Sequence, residues 1–133
     1  MKTVQLGTIS VIHETWLPYA AACLISYCNK IPEIKSKYKF NEPLYKYKPI
    51  EEYTEQFKNI DVFGLTCYVW NQAYNDQMMS HYKDVNPNGI TMYGGPNVPE
   101  DPKLAEQFAK DHPYIDVFWV CLLYTSPSPR DSV

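Results

Sequence analysis

Two consecutive glycines interrupt an apolar stretch in the segment ITMYGGPNVPED, residues 90–101. Glycine has no Cβ atom, so a ligand or another stretch of main chain can approach the backbone closely there. Two other segments carry polar and aromatic side chains: SVIHETW, residues 10–16, and TCYVWN, residues 66–71. Aromatic rings supply large apolar contact areas. Together these residue types favour the binding of a large, flat ligand.

The cysteines offer neither a metal site nor an activated nucleophile. Cys23, Cys28, Cys67 and Cys121 form no CxxC pair and no metal-ligand array. Reduced thiols in a reducing compartment fit this pattern best. Cys67 has no histidine or carboxylate beside it in the sequence, which predicts a small buried thiol.

Phosphate-binding and phosphate-accepting loops are excluded by their missing residues. The segment at residues 10–16 lacks the glycines of GxGxxG and GxxxxGK[ST]. It also lacks the run of Ser, Thr and Gly expected of a flavodoxin-like phosphate loop. A phospho-accepting receiver domain needs an aspartate at the end of its third strand, where this sequence has Thr66, Cys67 and Tyr68.

Length and composition indicate one folded domain in the cytoplasm. The chain has 133 residues, of which 45% are hydrophobic and 20% are charged. The formal net charge is −3, and the lysines between residues 35 and 48 alternate with tyrosines, which favours a solvated edge over nucleic-acid binding. No signal peptide is recognisable, and no apolar run approaches the roughly 20 residues that span a bilayer. We therefore predict no nucleic-acid or membrane partner.

Apolar periodicity predicts an alternation of strands and helices. The predicted strands are residues 4–12, 38–45, 61–69, 90–93 and 114–120. The nearly continuous apolar run at 61–69 predicts the central strand. The predicted helices follow Thr15, Pro49, Asn71 and Asp101. In the third of these helices, Tyr74, Met78, Tyr82 and Val85 share one side, and Met78 and Met79 are interpreted as packing residues. Such an order predicts an α/β fold: a Rossmann-like (flavodoxin-like), three-layer α/β/α domain with a mainly parallel five-stranded sheet. Ligands bind such sheets beyond the carboxyl ends of the strands, which selects the loops at residues 10–16, 66–71 and 94–98.

Three motifs in this order resemble a known family. GLTCYVWN is followed by GGPNV, with 25 residues between Tyr68 and Gly94, and then by a helix and IDVFWV. This arrangement resembles the N-terminal cobalamin-binding domain of cobalamin-dependent radical S-adenosylmethionine enzymes, over residues 4–120. The resemblance implies cobalamin as the cofactor. It also implies a downstream radical domain, with a CxxxCxxC motif, that binds S-adenosylmethionine and a 4Fe-4S cluster and is missing from this chain.

The resemblance also implies roles for single residues. Gly94 and Gly95 would lie against the corrin ring or its nucleotide tail, and Thr66 would hydrogen-bond the nucleotide portion. The complete set of expected cofactor-binding residues is Ser10, His13, Thr15, Thr66, Cys67, Tyr68, Val69, Trp70, Gly94, Gly95, Pro96 and Asn97.

The first loop departs from the cobalamin fingerprint DxHxxG. Val11 stands in place of the aspartate and Trp16 in place of the glycine, so that His13 alone remains. A metal-ligating histidine needs a partner that fixes its tautomer. His13 is therefore interpreted as an ordinary loop histidine, and no residue is predicted to ligate a metal or to be catalytic.

The last residues have a different character from the rest of the chain. Residues 121–131, CLLYTSPSPRD, resemble the translation of a sequencing-library transposase adapter. We therefore predict a cobalamin-binding-like domain at residues 1–120 and a non-native tail at 121–133, although a short polar C-terminal tail remains an alternative. By itself, the fragment is expected to be inactive.

Other interpretations remain open at this point. Gly94 and Gly95 would also suit a simple turn, and Trp16, Tyr68 and Trp70 would also suit core or lid positions. The chain as a whole would also suit a stand-alone flavodoxin-like module that binds another nucleotide or metabolite without catalysis. A fragment that folds but binds nothing is a third possibility.

Overall fold

The structure is a computed structural model that describes residues 1–10 and 18–120. The described residues form five strands: β1 (Lys2–Gly7), β2 (Tyr38–Phe40), β3 (Val62–Thr66), β4 (Ile90–Gly95) and β5 (Val117–Val120). Their α-helices are α1 (Tyr19–Cys28), α2 (Pro32–Lys37), α3 (Thr54–Phe57), α4 (Gln72–Val85) and α5 (Pro102–Asp111). A 3-10 turn, Ile50–Tyr53, leads directly into α3.

The strands form one parallel sheet in the order β2-β1-β3-β4-β5. The crossover from β1 to β2 leads in one direction across the sheet, and the later crossovers lead in the other. Because such connections are right-handed, the first crossover lies on one face and the other three lie on the opposite face. The predicted α/β fold, with three layers and a parallel sheet, is confirmed.

The first two strands are shorter than the sequence predicted. β1 ends at Gly7, which then forms a single bridge with Leu44, and the N–H of Thr8 donates to the carbonyl of Leu44 at 2.9 Å. Between β2 and this bridge lies Pro43, which has no N–H to donate to a neighbouring strand. The proline therefore limits β2 to three residues.

The first crossover contains one more helix than predicted. The sequence indicated a helix that ends near Lys30 because Pro32 follows, and α1 ends at Cys28. Pro32 then begins α2 instead of extending a loop. Proline is well tolerated in the first turn of a helix, where its missing N–H would have no helical partner.

The main hydrophobic core lies between the sheet and the helices of the later crossovers. The rings of Phe57 and Phe63 lie 5.3 Å apart, and Tyr82 meets Phe57 edge-on at 5.5 Å. Met78 and Met79 are fully buried beside them, as their helical spacing predicted. The hydroxyl of Tyr82 donates to the carbonyl of Ile60 at 2.6 Å, and burial raises the pKa of Tyr82 to about 12.

The opposite face of the sheet is covered less completely. Ala21 of α1 and Val4 of β1 are buried there. Farther across the same face, Ile90 is 45% exposed and Trp119 is 39% exposed. No helix in the described part of the chain is both long and apolar enough to cross a membrane.

Candidate functional site

An apolar groove lies on the α1 face of the sheet, near the carboxyl ends of the strands. It encloses about 620 Å³, including space open to solvent. Its walls and floor include Leu6, Ala20, Leu24, Gly64, Met92, Gly94 and Trp119. Open parallel sheets bind their ligands at this end, so the groove is the candidate site.

Two glycines on adjacent strands keep the groove open. A Cβ atom at Gly94 would meet the Cβ of Trp119 at 3.6 Å, an ordinary contact. At Gly64 it would meet the flexible tip of Leu6 at 2.9 Å and the Cβ of Met92 at 3.7 Å. Strand alternation directs both positions toward the groove. Main chain crowds neither position. Gly94 leaves room for a ligand directly, whereas the tip of Leu6 lies over Gly64 and would have to change rotamer to leave room there.

A glycine is required at position 95 for a different structural reason. Its φ is +110°, a conformation that residues with a side chain rarely adopt. A Cβ atom there would lie 2.9 Å from the carbonyl oxygen of Cys67. The close approach at Gly95 is therefore made by the neighbouring loop of the protein itself, whereas Gly94 faces the groove.

The hydroxyl of Thr66 lies at the rim of the groove and is already engaged. It donates to the hydroxyl of Thr8 at 2.8 Å, and the carbonyl of Gly7 lies 3.4 Å away. A hydroxyl that donates one hydrogen bond still has acceptor capacity. Thr66 and Thr8 together form a polar end on an otherwise apolar groove, and the sequence did not single out Thr8.

Cys67 does not present its side chain to the groove, which differs from the expectation that it lines the cleft. Its side chain is fully buried within the core on the opposite face, because alternation after Thr66 turns the next residue away. Burial raises the pKa of the Cys67 thiol well above its ordinary value. The residue is a packed thiol, as its sequence neighbours predicted.

The aromatic residues after Cys67 form a stacked pair at the rim. The rings of Tyr68 and Trp70 lie 4.5 Å apart and are nearly parallel, with an angle of 7°. Tyr68 lines the groove, and Trp70 is 39% exposed behind it. Val69 is 80% exposed and points to solvent between them.

The third loop supplies Pro96 and Asn97. Pro96 lines the groove, and Asn97 donates its main-chain N–H to the carbonyl of Cys67 at 3.1 Å. Of the expected residues in the first loop, Ser10 is buried. His13 and Thr15, like Val11 and Trp16, fall outside the described residues.

Two buried asparagines hold the start of the second loop: Asn71 joins it to the main chain after β1, and Asn75 joins it to α4. The sequence indicated only Asn71, as a helix cap. Asn71 Nδ2 donates to the carbonyl of Ile9 at 2.9 Å, and Asn71 Oδ1 accepts the N–H of Tyr68 at 2.9 Å. Asn75 Nδ2 donates to the carbonyl of Thr66 at 3.0 Å. The spacing of Asn71 and Asn75, four residues apart at the start of a helix, could have indicated this pair, because residues at that spacing share one face of a helix.

No metal centre is formed by the described residues. Among residues 1–10 and 18–120, no group of three or more His, Cys, Asp or Glu side chains could hold a metal ion. The lining of the groove is mostly apolar, which suits a ligand held by shape and apolar contact.

Comparison with known proteins finds methyltransferases that are similar to this chain over part of their length. No family profile matches the chain. It is 34% identical over 102 residues to the cobalamin-dependent radical SAM methyltransferase TokK of Streptomyces tokunonensis. It is 33% identical over 102 residues to a 2-(S-pantetheinyl)-carbapenam-3-carboxylate methyltransferase of Streptantibioticus cattleyicolor. Each match covers 77% of this chain but only 14% of the relative.

Solved structures with a similar fold are distant in sequence. The pilus assembly protein CpaE of Caulobacter crescentus has a TM-score of 0.52 at 10% identity, over 98% of this chain and 86% of its own. A response regulator of Burkholderia pseudomallei has a TM-score of 0.50 at 10% identity, over 99% of this chain and 64% of its own. At such identity these likenesses support the fold alone.

Proposed function

We propose that this chain is the cobalamin-binding module of a longer cobalamin-dependent radical S-adenosylmethionine enzyme. The observation that carries the proposal is the groove at the rim of the sheet, kept open by Gly64 and Gly94. The similarity to two methyltransferases over 102 residues supports the same ligand, because one of them is described as cobalamin-dependent.

The groove fits one end of a corrinoid by shape and polarity. Its floor is apolar and flat where Gly64 and Gly94 replace side chains, which suits the planar base of a nucleotide tail. Thr66 and Thr8 offer hydroxyl groups at the rim. The stacked rings of Tyr68 and Trp70 would provide apolar contact area for the corrinoid and help to exclude water from it.

The first loop, residues 10–16, is proposed to contribute fewer contacts to the corrinoid than the second and third loops. Ser10 is buried, and Ser10, His13 and Thr15 remain expected ligand contacts. The chain would bind the corrinoid without a histidine under cobalt, because the aspartate and glycine of the fingerprint are replaced.

Chemistry would belong to the whole enzyme. Bound cobalamin would supply the cobalt centre that takes part in methyl transfer. S-adenosylmethionine and a 4Fe-4S cluster would be held by a separate downstream domain. The residues described here would bind the corrinoid, orient it and shield it from water, so the 133-residue chain should show no turnover by itself.

Hydroxocobalamin binding tests the proposal directly. The purified 133-residue chain should change the visible spectrum of hydroxocobalamin and retain the pigment through desalting. Adenosine nucleotides and flavin mononucleotide serve as comparison ligands. Retention of one of these, with no retention of hydroxocobalamin, would support the stand-alone module instead.

The native gene gives an independent test of the parent enzyme. Sequencing past codon 120 should reveal an open frame with a CxxxCxxC motif within the next domain. A stop codon near that point would contradict the proposal that the chain is part of a longer enzyme. Corrinoid binding by the module is decided separately, by the hydroxocobalamin measurement.

A further inference from the structure

The third loop, residues 94–98, is tied to α4 by a chain of side-chain hydrogen bonds. Asn97 Nδ2 donates to Gln72 Oε1 at 2.9 Å. Gln72 Nε2 donates in turn to Asp76 Oδ1 at 2.7 Å. Gln72 is the first residue of α4, and Asp76 lies about one turn later on the same side of the helix. A loop at the groove is thus joined to a rigid element.

Asp76 determines which way the amide of Gln72 faces. A carboxylate only accepts hydrogen bonds, so it selects the NH₂ end of the amide. The Oε1 atom is then left to accept from Asn97. The carboxylate also accepts from the hydroxyl of Tyr93, at 2.8 Å from Oδ1. His112 Nε2 lies 3.4 Å from Oδ2 and forms an ion pair with it only when the imidazole is protonated, because the other ring nitrogen, Nδ1, faces the carbonyl of Phe108 at 2.7 Å.

Asn97 connects this chain of bonds to the site. Its main-chain N–H donates to the carbonyl of Cys67, and its neighbours Gly95 and Pro96 line the groove. One side chain and one main-chain bond therefore fix Asn97 between α4 and the second loop. Release of the side-chain bond would leave Asn97 held by its main chain, while the buried side chain of Val98 still anchors the end of the loop.

We infer that Gln72 and Asp76 are positioning residues of the corrinoid site. They act through Asn97 and hold the third loop in the conformation that receives the ligand. A preformed loop binds more tightly because less ordering is required on binding. This inference rests on the proposed function only for its ligand, since the effect on the loop is measurable without one.

Exchanging the hydrogen-bond donor at position 72 with the acceptor at position 76 tests whether the bond between these two side chains holds the loop. Gln72→Glu places two carboxylates side by side, and Asp76→Leu removes the acceptor of the Gln72 amide at similar side-chain size. The double variant Q72E/D76N restores one donor facing one acceptor, and the carboxylate introduced at position 72 can still accept from Asn97. Gln77→Glu, at an exposed position on the same helix, is the matched control.

Two readouts are expected to agree. Hydrogen exchange of the Asn97 and Val98 amides, measured on the ligand-free chain, should be about fivefold faster in each single variant and near the original rate in the double variant. Hydroxocobalamin affinity should fall about three- to tenfold in each single variant and recover in the double variant. Q77E should match the unchanged protein in both.

Each other result overturns part of the inference. Unchanged exchange in Q72E and D76L would show that the loop does not depend on this chain of bonds. Faster exchange with unchanged hydroxocobalamin affinity would show that the loop does not serve the ligand. A double variant no better than the weaker single one would contradict the donor–acceptor order. If the unmodified chain binds no hydroxocobalamin, the proposed function fails while the exchange rates still decide the role of Gln72 and Asp76 in the loop.

Discussion

The main-chain N–H of Cys67 donates a hydrogen bond of 2.6 Å to the carbonyl oxygen of Gly94. Thr66 and Gly94 are register partners at the ends of β3 and β4, so this bond extends the ladder beyond the paired strands. The carbonyl of Cys67 then accepts from Asn97 at 3.1 Å. The second and third loops are therefore fixed to each other beside the groove by the protein itself.

Filling the groove should block the ligand. Ala20 lines the groove and Ala22 is exposed on the same helix. We expect Ala20→Leu to weaken hydroxocobalamin binding about tenfold or more, equivalent to about 1.4 kcal/mol, because the added side chain takes up ligand space. Ala22→Leu should change affinity less than about twofold. Spectral titration of both variants measures this, and equal affinities would exclude the groove as the binding site.

The two adjacent glycines should differ in their effect on stability. Gly95→Ala combines a positive φ with a Cβ atom 2.9 Å from the Cys67 carbonyl. It should lower the free energy of unfolding by about 1–3 kcal/mol. In Gly94→Ala the added Cβ atom meets only Trp119, at ordinary contact distance. This substitution should change the free energy of unfolding by less than about 0.5 kcal/mol. Urea denaturation compares them, and the opposite order would contradict the assignment.

Asn71 should be important for the fold as well as for the rim. It is fully buried and bonds the carbonyl of Ile9 and the N–H of Tyr68. Asn71→Ala would leave both main-chain groups without this partner, at a cost of about 2–3 kcal/mol in the free energy of unfolding. The exposed Gln77→Ala on α4 is the control. Chemical denaturation that gave the two variants equal stability would rule out this role.

Asp116 should make stability depend on pH in the acidic range. It accepts from Lys83 Nζ at 2.6 Å and from the N–H of Thr91 at 2.9 Å. Although burial alone would raise the pKa of Asp116, these hydrogen bonds hold it below its ordinary value. The carboxylate therefore stabilises the fold above the pKa of the unfolded chain, and this contribution is lost as pH falls through the lower pKa of the folded state.

Replacing the Asp116 carboxylate tests the direction of this pH dependence. Asp116→Asn should reduce the free energy of unfolding by no more than about 1 kcal/mol at about pH 7, because the side chain is partly exposed and screened. The difference from the original chain should shrink as pH falls below the pKa of the unfolded chain and through the lower pKa of the folded state. A difference that grows as pH falls would contradict the lowered pKa of Asp116.

Much of the architecture was predictable from local patterns. The continuous apolar run around Phe63 predicted a central strand, since strands of parallel sheets are buried on both faces. The spacing of Met78 and Tyr82 predicted the buried side of α4. Boundaries were less predictable because they depend on distant partners. β1 ends where Leu44 is its partner, and Pro32 begins a second helix where the sequence indicated only the end of the first.

The sequence by itself determined the order of strands and helices, the loops that reach the carboxyl rim, and a shortage of side chains at residues 94 and 95. Only the tertiary structure decided that Gly94 faces an open groove while Gly95 faces Cys67. It also brought Gly64 beside Gly94 and joined Asn97 to Asp76 through Gln72. The physical reason is that period-2 alternation and helical periodicity are local properties. Which main chain or side chain lies opposite a given residue is set by the register of neighbouring strands and by the packing of helices distant in sequence.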